Sequence, residues 1–124
     1  MIIGTVSEAA QVLAPFFVGS EGERLAVLHL ARDNRLLALT LERAGLDDEV
    51  ELPIAEILKK ALRIGADAIV LAHNHPSGDP SPSGADEAGT RALAAAAAGV
   101  EIRLHDHLIF AGSDCRSFRS LGLL

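Results

Sequence analysis

Apolar positions along the chain follow two different periods, and the alternation between them predicts the order of elements. Thr5 followed by Glu8 has capping-box spacing, and Ala9, Val12, Leu13 and Phe16 recur behind it at helical intervals, so a first helix is expected there. Residues 24–30 and 35–41 are two mostly apolar runs separated by Asp33-Asn34, residues that tolerate the backbone angles of a turn. They are expected to form two strands joined by that turn. A short further strand is expected over 46–52. Pro53 then opens a second helix, where its missing N–H costs nothing. Ile54, Ile57, Leu58, Ala61 and Leu62 form its apolar stripe, and Lys59, Lys60 and Arg63 its solvated face. Gly65 stops it. Residues 68–72 are continuously apolar, as in a strand covered on both faces. A polar loop over 73–82 leads to a third helix over 83–99, whose alanines at 92 and 94–98 suit close packing. Strands over 101–104 and 107–111 complete the pattern. Strands alternating with helices give an α/β domain, and 124 residues fit one compact unit over 1–124.

The chemistry concentrates in Leu71-Ala-His-Asn-His-Pro-Ser-Gly-Asp-Pro-Ser-Pro-Ser-Gly-Ala-Asp86. His73 and His75 stand two apart at the end of a buried strand, which places both imidazoles on one side of an extended backbone. Neutral imidazole is a common zinc ligand. Ser83 has the position of an N-cap, and Asp86, three residues on, falls in the first turn of the third helix, where the dipole favours a carboxylate. The stiff loop carrying Pro76, Pro80 and Pro82 holds Asp86 near the histidines at low entropic cost. Two histidines and one carboxylate leave a fourth tetrahedral position open, the mark of a catalytic zinc site. Taken singly, each feature has a plainer reading: a His-x-His pair is weak, and a Ser or Asp at a helix start is usually only a cap. Their combination is what points to a metal.

His-x-His, seven residues, Ser, two residues, Asp resembles the signature of the JAMM (MPN-plus) metallopeptidase superfamily, met here by His73, His75, Ser83 and Asp86. The surrounding sequence is similar to the RadC-like branch, through Asp33-Asn-Arg-Leu36, Pro53-Ile-Ala-Glu56, Thr90-Arg91, Asp106-His107, Ser117-Phe118 and Gly122-Leu-Leu124. The resemblance implies a curved mixed β-sheet flanked by helices, related to the cytidine deaminase fold. It implies Zn2+ held by His73, His75 and Asp86, a glutamate of an early strand activating water, and Ser83 stabilising an oxyanion. Many such proteins cleave isopeptide bonds, so a protein or peptide substrate is the partner it suggests. Two departures accompany it. Ala31 stands where such proteins usually carry an acidic residue, and the N-terminal helix-hairpin-helix-type region they usually carry is expected to be lacking.

The glutamate is assigned to Glu23. It directly precedes the apolar run 25–30, whereas Glu21 lies in the Ser20-Glu-Gly22 turn, and the early-strand glutamate of the RadC-like pattern falls on Glu23 when Asp33-Asn-Arg-Leu36 is aligned without a gap. Asp106 and His107 are candidates for groups that orient the ligands, against the alternative of plain strand residues. His29, inside an apolar strand, reads as a packed core histidine. Asp79 fits a Gly-Asp-Pro turn, and Cys115 has no partner at metal spacing.

Composition narrows the function. The net charge of −6 counts against a nucleic-acid partner held by clustered Lys and Arg. The single cysteine rules out an intrachain disulfide and suits a reducing cytoplasm. No leader and no membrane span are expected, since the longest tempting apolar stretch, 92–100, is far shorter than the roughly 20 residues a span needs. The leading expectation is a zinc-dependent hydrolase of amide bonds. A RadC-type DNA-repair-associated protein and a metal-stabilised interaction module without hydrolysis are the alternatives. The literal string His-Asn-His does not make a nuclease of that name, whose residues spread over a hairpin and a helix. A zinc deaminase is disfavoured, because no His-x-Glu paired with Pro-Cys-x-x-Cys is present.

Overall fold

The computed structural model describes residues 1–19, 22–42 and 52–124. Thr5 caps α1 (Val6–Leu13), its hydroxyl accepting from Glu8 N–H at 3.2 Å, while the Glu8 carboxylate reaches back to Gly4 N–H at 3.3 Å. Pro15 lies in the tighter 3₁₀ turn Ala14–Phe16 that follows. Strands β1 (Leu25–Leu30) and β2 (Leu36–Glu42) pair antiparallel across the expected turn, where Asn34 adopts a positive φ of 65°. Helix α2 (Ile54–Ile64) starts one residue after Pro53 and ends at Gly65 in the left-handed conformation. Strand β3 (Ala68–Asn74) is buried at every position, and α3 (Gly84–Gly99) follows its loop. Strands β4 (Arg103–Ala111) and β5 (Asp114–Ser117) end the sheet.

The five strands form one mixed sheet in the order β2-β1-β3-β4-β5. The β3–β4 pair is parallel, joined through α3, and the other pairs are antiparallel. This is the α/β architecture expected, a mixed sheet flanked by helices. Side-chain alternation divides the core between its faces. Ala26, Leu28, Val70, Ala72 and Leu108 pack with Ala9, Leu13 and Phe17 from the α1 side. Leu25, Val27, Ile69 and Leu71 pack with Ile57, Ala61, Leu93 and Ala97 of α2 and α3.

Several expectations are corrected. Leu62 is exposed, and the core position after Ala61 is taken by Ala66. Lys60 is partly exposed, as expected, but it is also paired: its Nζ lies 2.9 Å from a carboxylate oxygen of the buried Glu42. The final strands are one nine-residue strand rather than two, because His105-Asp-His107 is polar yet satisfied within the sheet, and a register shift opposite Ile69–Val70 absorbs the irregularity. The strand expected over 46–52 lies, Leu52 apart, outside the described residues. Among the described residues no helix is long and apolar enough to cross a membrane.

Candidate metal centre

Strand β3 ends on His73 and Asn74, and His75 follows immediately, while α3 delivers Asp86 from its first turn. Ser83 caps that turn: its hydroxyl accepts from Asp86 N–H at 3.0 Å, and Asp86 Oδ2 accepts from Ser83 N–H at 2.8 Å. The cap therefore fixes both the backbone and the carboxylate of Asp86. Three side chains converge. His73 Nε2 lies 3.0 Å from His75 Nε2, His75 Nε2 lies 3.1 Å from Asp86 Oδ2, and His73 Nε2 lies 3.4 Å from Asp86 Oδ1. Among the described residues this is the one group of three or more such side chains placed to hold a metal ion.

The hydrogen-bond network assigns the tautomers. Thr90 Oγ1 donates its single proton to the Asp86 carbonyl at 2.7 Å, so towards His107 Nδ1, at 2.6 Å, it accepts. His107 therefore carries its proton on Nδ1. Burial, with His73 next in effect, pushes the His107 pKa well below the ordinary imidazole range, so the ring is neutral and its Nε2 is an acceptor. It accepts from His73 Nδ1 at 2.7 Å, and a neutral His73 then has a bare Nε2. On the other side, His75 Nδ1 donates to the Asp79 carbonyl at 2.8 Å, which leaves its Nε2 bare as well. With both rings in the neutral form that binds a metal, two bare imidazole nitrogens and a carboxylate thus face one another.

Such a group of acceptors calls for a cation. Burial raises the Asp86 pKa, but the His73 ring beside it and the bond from Ser83 N–H outweigh it and hold the carboxyl well below the usual range, so Asp86 is ionised. Ligand atoms each about 2.0–2.1 Å from a shared tetrahedral ion stand about 3.3 Å apart, close to the separations seen here. The donor set, two nitrogens and one carboxylate oxygen, fits zinc.

The residues of this chain match a family model described as the RadC-like JAB domain over positions 3–123. The chain belongs to this family. It is 43% identical over 106 residues to UPF0758 protein YfjY of Escherichia coli (strain K12), covering 86% of this chain and 66% of that protein. It is 44% identical over 102 residues to a UPF0758 protein of Rhodobacter capsulatus, covering 82% and 48%. To UPF0758 protein YeeS of Escherichia coli (strain K12) it is 43% identical over 106 residues, covering 86% and 72%. The chain therefore spans about half to about three quarters of the length of these relatives.

Other residues singled out in this RadC-like domain are distributed unevenly about the centre. Ser83 is exposed beside Asp86, and as an acceptor of one bond it keeps its own O–H to donate. Glu23 is half-buried, two residues before Leu25, whose partner across the β1–β3 pair is His73. Glu21 lies outside the described residues. His107 joins the centre through His73, with Phe118 stacked on it at 4.4 Å. Asp106 faces elsewhere. Its carboxylate accepts from Ser117 Oγ, from Arg119 N–H and from its neighbour His107 N–H, tying β5 and the turn after it to β4. His29 is fully buried against Thr40 Oγ1 at 2.8 Å, and Asp79 accepts from Ser81 N–H at 2.9 Å in its turn.

Thr90 entered the sequence reading only within the Thr90-Arg91 match and Asn74 only within the His-Asn-His string, and neither was given a role. Thr90 stands four residues after Asp86 on the same helix face, which could have suggested it. A cavity of about 660 Å³ lies on the α1 side of the sheet, between Phe17, Asn74 and Phe110, and reaches His75 only at one end. It is not the three-ligand site.

The Asp86–Thr90–His107–His73 chain predicts an effect of its own. His107→Phe fills the ring's volume and leaves His73 Nδ1–H without its acceptor. Metal affinity, read by competition with a chromophoric chelator, is expected to fall by about 10–100-fold. Unchanged affinity would show that the relay does not orient His73.

Proposed function

We propose that residues 1–124 form a single zinc-dependent hydrolase domain that cleaves amide bonds in a protein or peptide, an isopeptide bond among them. The observation that carries this reading is the meeting of His73 Nε2, His75 Nε2 and the Asp86 carboxylate at one point. His73, His75 and Asp86 hold Zn2+ there. A bound Zn2+ supplies Lewis acidity towards a carbonyl oxygen and towards water.

The chain's own residues supply the rest. Glu23 accepts the proton that the attacking water loses and passes it to the leaving amine, without being a ligand itself. The β1–β3 pairing ends at Leu25↔His73, and an extended backbone before Leu25 would turn Glu23 towards the face that carries both histidines. Ser83 donates its O–H to the oxygen that gains charge as the carbonyl is attacked. His107 and Thr90 hold His73 in the tautomer that presents Nε2, and Asp79 does the same for His75 through its carbonyl.

Cleavage of isopeptide-linked and peptide substrates by the zinc-loaded protein, abolished by a chelator and restored by zinc, tests the reading. Stoichiometric zinc without hydrolysis across a broad peptide panel would favour an interaction module. The same preparation is expected to show no strong DNA binding at physiological salt, given the net charge of −6. A steep, salt-dependent DNA affinity, micromolar or tighter, would favour the repair-associated alternative.

A further inference from the structure

Asn74 stands between the two histidines, and strand alternation turns its side chain to the opposite face of the sheet. It is buried, with 5% of its surface exposed. Its two amide ends are both used, and both reach the same short stretch of chain. Asn74 Oδ1 accepts from Arg24 N–H at 2.6 Å, and Asn74 Nδ2 donates to the Gly22 carbonyl at 3.0 Å. These bonds cross 50 and 52 residues of sequence. The residue enclosed between them is Glu23.

The position matters because β1 begins only at Leu25. Up to Leu25↔His73 the two strands are held by their pairing, and Arg24 is instead bonded to a side chain. A carboxamide offers one acceptor and one donor, as a peptide group does. Asn74 thus does for residues 22–24 what a neighbouring strand would do. Arg24 adds a second anchor, its guanidinium donating to the Phe16 carbonyl at 3.1 Å.

We infer that Asn74 is a positioning residue for Glu23: its side-chain amide fixes the backbone on both sides of Glu23 relative to the strand end that carries His73 and His75. One strand end then sets the spacing between metal ligands and base, His73 and His75 from one face and Asn74 from the other. The inference rests on the reading of Glu23 as the base. A base must be held to a fraction of an ångström, and a residue just outside a ladder needs such a tether.

The test compares wild-type protein, Asn74→Ala and Asn74→Asp, each loaded with Zn2+ or with paramagnetic Co2+ and carrying carbon-13 in its glutamate carboxyls. Broadening by Co2+ falls steeply with distance, so it reports where the Glu23 carboxyl lies. In the wild type the Glu23 line is expected to be lost in the Co2+ form. In Asn74→Ala it is expected to reappear as a sharp line with metal content unchanged. The Arg24 amide should then exchange with solvent at least about tenfold faster, having lost its buried acceptor. Asn74→Asp keeps the acceptor for Arg24 N–H and loses the donor to Gly22, so it should retain slow exchange and partial broadening. That variant decides the matter if the alanine protein does not fold. A merely structural asparagine would lower stability and leave the Glu23 line broadened in every variant, which would overturn the inference while Glu23 stands. A sharp Glu23 line in the Co2+ wild type would overturn the reading of Glu23, and the role of Asn74 with it.

Discussion

Alanine at His73, His75 or Asp86 is expected to take zinc from about one ion per chain to a small fraction of that, measured by elemental analysis after dialysis. Each substitution removes one of three ligands, so the loss of affinity should exceed the 10–100-fold or so expected on removing an orienting partner. The three variants differ in what else they break. His73→Ala opens a hole in a buried site and leaves His107 without its donor. Asp86→Ala also removes the carboxylate that accepts from Ser83 N–H at the start of α3. Asp86→Asn keeps an oxygen for that bond, and loses only the charge, so it is the cleaner variant. Thermal unfolding with and without zinc separates the effects. Metal that binds only the folded state raises the midpoint, and that rise should vanish in the variants whatever their stability without metal. Full zinc retention in His75→Ala would remove His75 from the ligand set.

Acid should release the metal in a way the same geometry sets. The Asp86 carboxyl lies well below its ordinary range. For such a depressed carboxyl, the stabilisation is fully present above the unfolded value of about 3.9 and is lost only as pH falls through the folded value. Asp86 therefore contributes no change between about pH 4 and 7. Metal lost in that window, followed by chelator-coupled titration, is lost because imidazole ligands must be neutral to bind. Asp86→Asn should lower the affinity throughout the window and leave the position of the acid limb in place.

The parts of this site legible in the sequence are those whose geometry is local. A period of two at the end of an apolar run is enough to put His73 and His75 on one face. The Ser83-x-x-Asp86 spacing is enough to place a carboxylate in a helix's first turn. What brings Asp86 to the histidines is the packing of α3 on β3 and β4, and spacing alone does not encode that contact. The roles of Thr90 and Asn74 escaped for the same reason. Each acts across a tertiary contact, Thr90 onto β4 and Asn74 onto the chain before β1, and neither residue type signals metal chemistry. Polarity misled where burial compensates it. His105-Asp-His107 looks like a break between strands, yet Asp106 is satisfied by Ser117 and Arg119 and the strand runs through. The short, polar β5 carries no hydrophobic alternation to reveal it. Lys60 is a partly solvated charge, and only the fold shows that it also pairs with the buried Glu42.

Glu23→Gln is expected to keep zinc and lose hydrolysis by several orders of magnitude. Two effects combine in that figure. General acid–base catalysis by one group contributes about 10²–10⁴-fold, and a base that also orients the attacking water contributes to its alignment as well. Glutamine is isosteric, so the backbone bonds of Gly22 and Arg24 to Asn74 should survive, and zinc content should match the wild type because Glu23 is not a ligand in this reading. The loss should fall on kcat more than on KM, since a proton acceptor acts in the transition state and contributes little to ground-state binding. Ser83→Ala provides the contrast. It removes an oxyanion donor, an effect of about 10²–10³-fold in kcat, but it also removes the cap of α3 and should cost stability, whereas Glu23→Gln should not. Wild-type turnover in Glu23→Gln, with substrate cleavage still dependent on zinc, would show that another carboxylate is the base, and Glu21 would be tested next.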